Sequence, residues 1–291
     1  MEKKISKLNL FKKYSPFLLL FIFAVLNFFI WNIVLAHEKD FLTVAFLDVG
    51  QGDAIFIEAP NGNQLLIDGG SNKKVLRELG KIMPFYDRSI DMVLATHPDK
   101  DHIGGLVPVI KNFKIDYILE SGAVGESSVF KEFVEVVKKE QSQNIFVKRG
   151  NKFFLDKDIY LEILFPDREV TDWNPNDASV ITKLVYGEKS FLLTGDSPQK
   201  MEKYLISLGT ENLKSSILKL GHHGSKTSTI ESFLGFVDPE KVIISAGLDN
   251  KYGHPHQEVI DLVNKFNVPF LETYREGTII FQTDGENLYL K

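Results

Sequence analysis

The sequence predicts an α/β fold in which two similar halves pack sheet against sheet with helices outside, preceded by one membrane-spanning helix. Three observations carry that expectation. A charge-free apolar run lies near the N-terminus, short strand-like runs alternate with amphipathic stretches from Phe41 onward, and one strand–turn–strand pattern ending in Asp and Gly occurs twice.

The N-terminal run comes first. Residues 1–14 carry Lys3, Lys4, Lys7, Lys12 and Lys13 against a single acid, Glu2, and Phe17 to Ala36 then contains no charged residue. A helix of that length spans roughly 30 Å, the thickness of a bilayer's hydrocarbon core. The flanking lysines belong in the cytoplasm, which places the remainder on the outer face. Val34-Leu35-Ala36 has the small-residue look of a signal-peptidase site. The run nevertheless exceeds the roughly 7–15 residues of a signal-peptide core, which favours an anchor that is kept. The expected division is a basic cytoplasmic segment over 1–15, a transmembrane anchor or uncleaved signal over 16–36, and one domain over 41–291.

Of the 291 residues, 44% are hydrophobic and 25% charged, an ordinary globular composition. Residues 1–36 hold five lysines and one glutamate, so the −5 of the whole chain leaves −9 on the rest. A protein that grips nucleic acid through many phosphate contacts is usually basic, so any polyanion is expected to be held locally here. The absence of cysteine excludes thiolate metal ligands, and a domain of this length buries a sufficient core without disulfides.

The repeat is explicit. Asp53-Ala54-Ile55-Phe56-Ile57-Glu58 leads through Asn61-Gly62-Asn63 to Gln64-Leu65-Leu66-Ile67-Asp68-Gly69-Gly70. Ser179-Val180-Ile181-Thr182-Lys183-Leu184-Val185 leads through Tyr186-Gly187-Glu188 to Ser190-Phe191-Leu192-Leu193-Thr194-Gly195-Asp196. Each is a strand, a glycine-bearing turn and a second strand, with a helix expected near 73–83 and near 198–208. Two such halves bring their strand ends into one cleft.

Histidines cluster there. His97 pairs with His102, His222 with His223 and His254 with His256, while His37 stands alone. Each pair follows an apolar strand at a glycine-containing loop, where α/β folds keep their sites. Asp91-Met92-Val93-Leu94-Ala95-Thr96 reads as a buried strand, and Ile103-Gly104-Gly105-Leu106-Val107 as the opening of a helix. Between them His97, Asp99, Asp101 and His102 place four metal-competent side chains in six residues. On a tight loop this spacing directs one pair at one ion and the other pair at a neighbour. Imidazole and carboxylate suit Zn²⁺ and Mn²⁺, and a carboxylate-rich set leans toward the harder Mn²⁺. That density outweighs the alternative of a solvated acidic turn with a helix-capping Asp.

The pattern His-x-Asp-x-Asp-His resembles the metallo-β-lactamase superfamily signature, with Asp99 where many members carry a second His. Four further segments run in order with it: Phe46-Leu47-Asp48-Val49-Gly50-Gln51-Gly52-Asp53-Ala54, Leu193-Thr194-Gly195-Asp196, Leu218-Lys219-Leu220-Gly221-His222-His223-Gly224-Ser225, and Asn250-Lys251-Tyr252-Gly253-His254-Pro255-His256. Together they resemble the extracellular metallo-hydrolase domain of ComEC-type competence (DNA-uptake) proteins. The resemblance implies the αββα sandwich of that superfamily and two divalent ions, Zn²⁺ or Mn²⁺. It implies metal binding by His97, Asp99, Asp101 and His102, a bridge by Asp196, and completion by His222 or His223. A carboxylate has two oxygens, so Asp196 can hold both ions at the roughly 3.5–4 Å usual in dinuclear sites.

Asp101, His223 and His254 are the expected catalytic residues, His254 as proton donor to the leaving group or as a phosphate contact. Asp68 is expected to orient the metal loop, because ligating histidines donate their other ring nitrogen to a carboxylate or carbonyl. Asp48, Gln51 and Asp53 are expected to form a turn beneath the site. Asn176 and Ser179 occupy the place where other superfamily members supply a further histidine, and are candidates for a substrate or supporting contact. His256 reads as a solvent-exposed or capping residue.

The reaction expected is metal-dependent hydrolysis of a phosphodiester, with exogenous DNA as substrate. Expected partners are the membrane, through the N-terminal helix, and an uptake channel. One hydrophobic span departs from a multi-pass ComEC channel, and there is no room for a separate oligonucleotide-binding domain. An exported phosphoesterase acting on a cell-wall, lipid or choline phosphoester is the alternative, as is a non-catalytic component that docks nucleic acid. The intact ligand positions favour an enzyme, and Asp99 argues against a β-lactamase proper. Ser225 beside His222 suggests a Ser–His pair, which the acidic metal loop makes unnecessary.

Overall fold

The computed structural model describes residues 2–35 and 41–291. Ala36, the last residue of the expected anchor and cleavage motif, and His37 lie outside the described residues. Two units are distinguished, divided between residues 40 and 41. The first contains helix α1 (Glu2–Leu35), whose stretch Tyr14–Trp31 is long and apolar enough to cross a membrane.

In the second unit, alternation within strands sets the layers. Strand β1 (Leu42–Phe46) turns Leu42, Val44 and Phe46 into a core between two sheets and Ala45 into a core beneath helices. The hairpin β2 (Ile55–Glu58) and β3 (Gln64–Ile67) does the same, with Leu65 and Ile67 between the sheets and Leu66 behind. Helix α2 (Lys74–Ile82) then crosses to β4 (Ser89–Ala95), parallel to β3. Helices α3 (Lys100–Ile103) and α4 (Leu106–Asn112) lead to β5 (Lys114–Glu120), and α5 (Ser128–Lys139) to β6 (Gln143–Phe146).

The second half repeats the plan. Strands β7 (Lys152–Asp156) and β8 (Ile159–Phe165) precede the hairpin β9 (Ile181–Tyr186) and β10 (Lys189–Leu193). Helix α6 (Gln199–Ser207) crosses to β11 (Ile217–Lys219), again parallel to the strand before it. Then follow α7 (Glu231–Val237), β12 (Lys241–Ile244), α8 (Gln257–Lys265), β13 (Phe270–Glu272) and α9 (Thr273–Glu276). Strand β14 (Ile279–Thr283) returns to pair antiparallel with β1, Phe46 opposite Ile279, and β15 (Leu288–Leu290) edges it.

The sheets are β15-β14-β1-β2-β3-β4-β5-β6 and β13-β12-β11-β10-β9-β8-β7. Each joins an antiparallel portion to a parallel one at the second strand of its hairpin, β3 or β10. Leu79, Leu106 and Phe133 cover the outside of one sheet, and Leu205, Phe233 and Val263 the outside of the other. This is the αββα sandwich of two similar halves that the sequence predicts. Between the sheets, Phe281 packs edge-on to Phe46 and Phe191, with centroids 6.2 Å from each. Truncating one of these buried rings to alanine costs about 3–5 kcal/mol.

One local expectation changes. The expected helix opens at Leu106 as α4, but the metal loop before it also contains a helical turn of its own, since α3 starts at Lys100 and carries Asp101 and His102. Gly104 and Gly105 end it against the loop after β3, where a Cβ on Gly105 would sit 1.8 Å from the Gly69 carbonyl oxygen. Gly69 N–H donates to His102 O at 2.7 Å across that contact. Glycine here permits close approach, and the approach fixes the helical turn on which two site residues ride.

Candidate metal centre

The loops that follow β3, β4, β10, β11 and β12 supply the histidine and aspartate cluster. Asp196, buried after β10, is its centre. Four imidazoles turn Nε2 toward its carboxylate: His102 at 3.2 Å, His223 at 3.5 Å, His222 at 3.8 Å and His97 at 3.9 Å. Asp101 Oδ2 is 3.5 Å from His223 Nε2, and Asp99 Oδ2 is 3.6 Å from His97 Nε2.

Local geometry explains the convergence. His222 and His223 both adopt left-handed backbone, with φ 48° and 57°. Adjacent side chains on an extended strand would face opposite ways; here both rings meet Asp196. His223 is buried and His222 is partly open. The spacing alone leaves the choice between them open, and the structure brings both to Asp196, with His223 the deeper. Asp99 stands at the N-terminus of α3, yet its carboxylate makes no capping bond there.

The hydrogen bonds fix the ring tautomers. A carboxylate only accepts, so the 2.7 Å contact of His102 Nδ1 with Asp68 Oδ2 is an Nδ1–H donation. Thr96 Oγ1 spends its proton on the same carboxylate at 2.7 Å, and must therefore accept from His97 Nδ1–H at 3.0 Å. In the neutral rings that a metal takes, both hydrogen-bond chains leave Nε2 with its lone pair facing Asp196. Asp68 also accepts the Thr96 backbone N–H at 2.8 Å. It thus holds both rings of the loop from below.

The donor set fits metal ions. Nε2 of His97, His102 and His223 and Oδ1 of Asp196 are all buried, and none has a hydrogen-bond partner among the described residues. Buried polar atoms left unpaired cost about 1–3 kcal/mol each, so converging orphans call for a common ligand. Asp101, His102, Asp196 and His223 each offer one atom within 4.8 Å of the others, a nitrogen and oxygen set that a divalent cation takes. His97 and His222 approach Oδ2 of the same carboxylate, and Asp99 stands beside His97.

Electrostatics agree. Burial would push the Asp196 carboxyl up, but His223, His102 and His97 hold it well below the ordinary range. Burial likewise works against Asp101, which His223 and His102 bring down. The imidazoles respond in the opposite sense. Against burial, Asp196 and Asp68 hold His102 well above the usual value, and Asp196 and Asp53 carry His223 up to about 9. Packed carboxylates demand positive charge, which protons or metal ions meet.

Asp53, from the loop after β1, approaches His223 Nδ1 with Oδ1 at 3.4 Å. Its other oxygen accepts from Lys219, the last residue of β11. Lys219 has no solvent exposure and also donates to Gly195 O at 3.0 Å, one residue before Asp196. Sequence reasoning quotes Lys219 within a motif and gives it no role. Asp48, in the same segment as Asp53, turns away: it pairs with Lys74 at 2.9 Å and accepts the Gly50 N–H at 3.2 Å. Gln51 Oε1 accepts Gly247 N–H at 3.2 Å.

Ser179 Oγ accepts the Asp196 backbone N–H at 3.1 Å, so it positions the central carboxylate. Asn176 Oδ1 is buried with no hydrogen-bond partner among the described residues. His254 stands 5.4 Å from the His222 ring and 6.2 Å from that of His223. Burial, His223 and His222 push it down to about 4, so at neutral pH it is an uncharged imidazole rather than an imidazolium acid. His256 Nδ1 accepts the Lys226 N–H at 3.1 Å, tying two loops together.

Residues 47–247 match the metallo-beta-lactamase superfamily model. The chain is 32% identical over 257 residues to ComE operon protein 3 of Bacillus subtilis (strain 168), covering 82% of this chain and 33% of that protein. It is 31% identical over 242 residues to Recombination protein 2 of Haemophilus influenzae, covering 80% and 28%, and 30% identical over 244 residues to Competence protein ComA of Neisseria gonorrhoeae, covering 82% and 32%. The chain thus spans about a third of these relatives. Among solved structures, CmlA, a diiron beta-hydroxylase from Streptomyces venezuelae, superposes with a TM-score of 0.51 at 14% identity, covering 79% of this chain and 52% of that one, a likeness of fold alone. With the family match running through most of the sandwich, the chain belongs to the metallo-β-lactamase superfamily, and its relatives include competence proteins of the ComEC type.

Proposed function

We propose that this protein is a membrane-anchored, extracytoplasmic phosphodiesterase that uses two divalent cations to cleave nucleic acid, with exogenous DNA as substrate. The observation that carries the reading is the set of unpaired Nε2 atoms converging on the two-oxygen Asp196 carboxylate. One cation would be held by Asp101, His102, His223 and Asp196, and the other by His97, Asp99 and Asp196 with His222 beside it. Asp53, Asp68, Asp99, Asp101 and Asp196 set five carboxylates against Lys219, a surplus of four negative charges. Two divalent cations match it. Bound there, Zn²⁺ or Mn²⁺ would supply Lewis-acid stabilisation of phosphate charge and acidify water.

The chain's own groups do the rest. Asp68 and Thr96 hold two imidazoles in the tautomer that offers Nε2, and Ser179 holds the Asp196 backbone. His254, neutral at pH 7, is placed to hydrogen-bond a phosphate oxygen. Nucleic acid is favoured as substrate by relatives named for competence and recombination. The charge-free stretch Tyr14–Trp31 of helix α1, behind the lysines at the start of that helix, supports the anchor and its orientation.

The net −9 outside residues 1–36 favours a second reading, a phosphoesterase with a smaller cell-wall, lipid or choline substrate. One experiment separates them. The detergent-solubilised chain with Mn²⁺ or Zn²⁺ is given single-stranded DNA, bis-p-nitrophenyl phosphate and nitrocefin, beside Asp101→Ala. DNA cleavage lost in the variant supports the first reading; ester turnover without DNA cleavage supports the second. Turnover that Asp101→Ala retains defeats the metal mechanism in both.

A further inference from the structure

A ladder of rings leads out of the cluster. The His222 ring lies 5.4 Å from that of His254, and His254 is stacked at 21° on Tyr252, centroids 5.6 Å apart. Tyr252 is half-exposed, and the Lys251 ammonium lies 4.9 Å from its ring centroid. The ladder is built rather than incidental. The Asn250 side chain donates to Gly247 O at 2.9 Å and His254 O at 2.5 Å, and accepts from Tyr252 N–H at 3.2 Å and His254 N–H at 3.0 Å. Four bonds from one amide pin the backbone from which the two rings project. Gly247, at the root of this loop, lies so close to Gln51 that a Cβ would meet its nitrogen at 2.8 Å.

A half-exposed aromatic ring, stacked on a histidine that borders the cluster and carried by a pinned loop, is what a flat, apolar substrate group can use. We propose that Tyr252 is a stacking platform for the nucleobase next to the scissile phosphodiester, with Lys251 serving the adjacent phosphate. This rests on the nucleic-acid reading above and adds to it a preference for unpaired strands, whose bases are free to stack. In a duplex the base faces are covered by their neighbours. Base–aromatic stacking tolerates any sequence, because every base presents a π-face. An arriving base displaces the Lys251 ammonium from the ring, which frees that charge for the backbone. Local stacking of this kind gives an acidic domain a hold on a polyanion that its overall charge does not.

The test uses the detergent-solubilised full chain with Mn²⁺ and two eight-residue strands, oligothymidylate and the same phosphodiester backbone carrying abasic sugars. Tyr252→Ala is expected to raise KM about tenfold for the base-bearing strand and less than twofold for the abasic one, with Tyr252→Trp restoring the difference. A second readout is spectroscopic. In an Asp101→Ala background, 2-aminopurine in the bound strand is quenched with Tyr252 or Trp at this position and stays bright with Ala. Cleavage of both strands with the same KM change, or quenching that survives Tyr252→Ala, overturns the platform and leaves the phosphodiesterase standing. Failure of the parent chain to cut either strand overturns the nucleic-acid reading and the platform with it.

Discussion

Lys219 and Asp53 form an ion pair, without solvent exposure, directly beneath the histidine cluster. The pair joins two halves of the sandwich, since Asp53 follows β1 and Lys219 ends β11. Each partner has a second contact, Asp53 toward His223 and Lys219 toward the carbonyl before Asp196. Lys219→Met leaves Asp53 buried without its closest cation, with only the imidazoles of His223 and His102 facing it, which is expected to lower stability by about 3–5 kcal/mol. Adding Asp53→Asn removes the stranded charge, so the double variant should lose less than the two singles together. Chemical unfolding of all four proteins checks this. Additive losses would mean that the two residues do not act as a pair.

Asp68 gives a second prediction. It accepts from His102, from the Thr96 hydroxyl and from the Thr96 backbone. Asp68→Ala frees the rings of His102 and His97 to rotate while leaving every proposed ligand in place. Metal affinity is expected to fall about 10–100-fold, the usual effect of losing a group that orients a ligating imidazole. Titration of the variant with Zn²⁺ or Mn²⁺ reads the shift directly.

The fold was legible because its strands are short, near-continuous apolar runs set between amphipathic stretches. Val44 and Phe46 against Ala45, or Leu65 and Ile67 against Leu66, announce a sheet buried on both faces. The repeated hairpin could be read for the same reason. Helix α3 could not be, because four residues are too short to carry a 3.6-residue period and its end is set by the contact of Gly105 with Gly69. The cluster itself was legible because His and Asp are dense where strands end. Lys219 was not: nothing local distinguishes a lysine that ends a short strand in solvent from one that meets Asp53 from the other half of the fold. The pair His222-His223 stayed ambiguous because strand alternation would send one ring away, whereas consecutive left-handed residues turn both inward. Asp48 and Asp53 share one motif, and only the path of the loop separates a residue paired with Lys74 from one that holds His223.

Proton release should accompany metal binding. Asp196 raises both His102 and His223, and at about 9 the His223 ring carries its extra proton at pH 7. A metal ion takes the lone pair that this proton occupies. Loading the site at pH 7 is therefore expected to release at least the His223 proton, about one per site. At pH 10, above the His223 value, the release should shrink. Calorimetric titrations in buffers of different ionisation enthalpy count the protons, and a heat independent of buffer would contradict the assignment.

Glu202 supplies a pH dependence away from the metals. It lies buried on α6 and accepts the Thr229 and Ile230 backbone N–H groups at 2.7 and 2.8 Å, tying that helix to the start of α7. Burial pushes its carboxyl up to about 7 against those two donors. The sign follows from the proton count. Between about pH 4.5 and 7 the unfolded chain has given up this proton while the folded chain keeps it, so the folded state binds more protons there. Stability must fall as pH rises through that window and level off above it, by about 3 kcal/mol for a shift of this size. Glu202→Gln cannot ionise, so its melting temperature should decline less than the parent's between pH 5 and 8, by several degrees. Parallel melting curves for parent and variant across that range would reject the raised carboxyl.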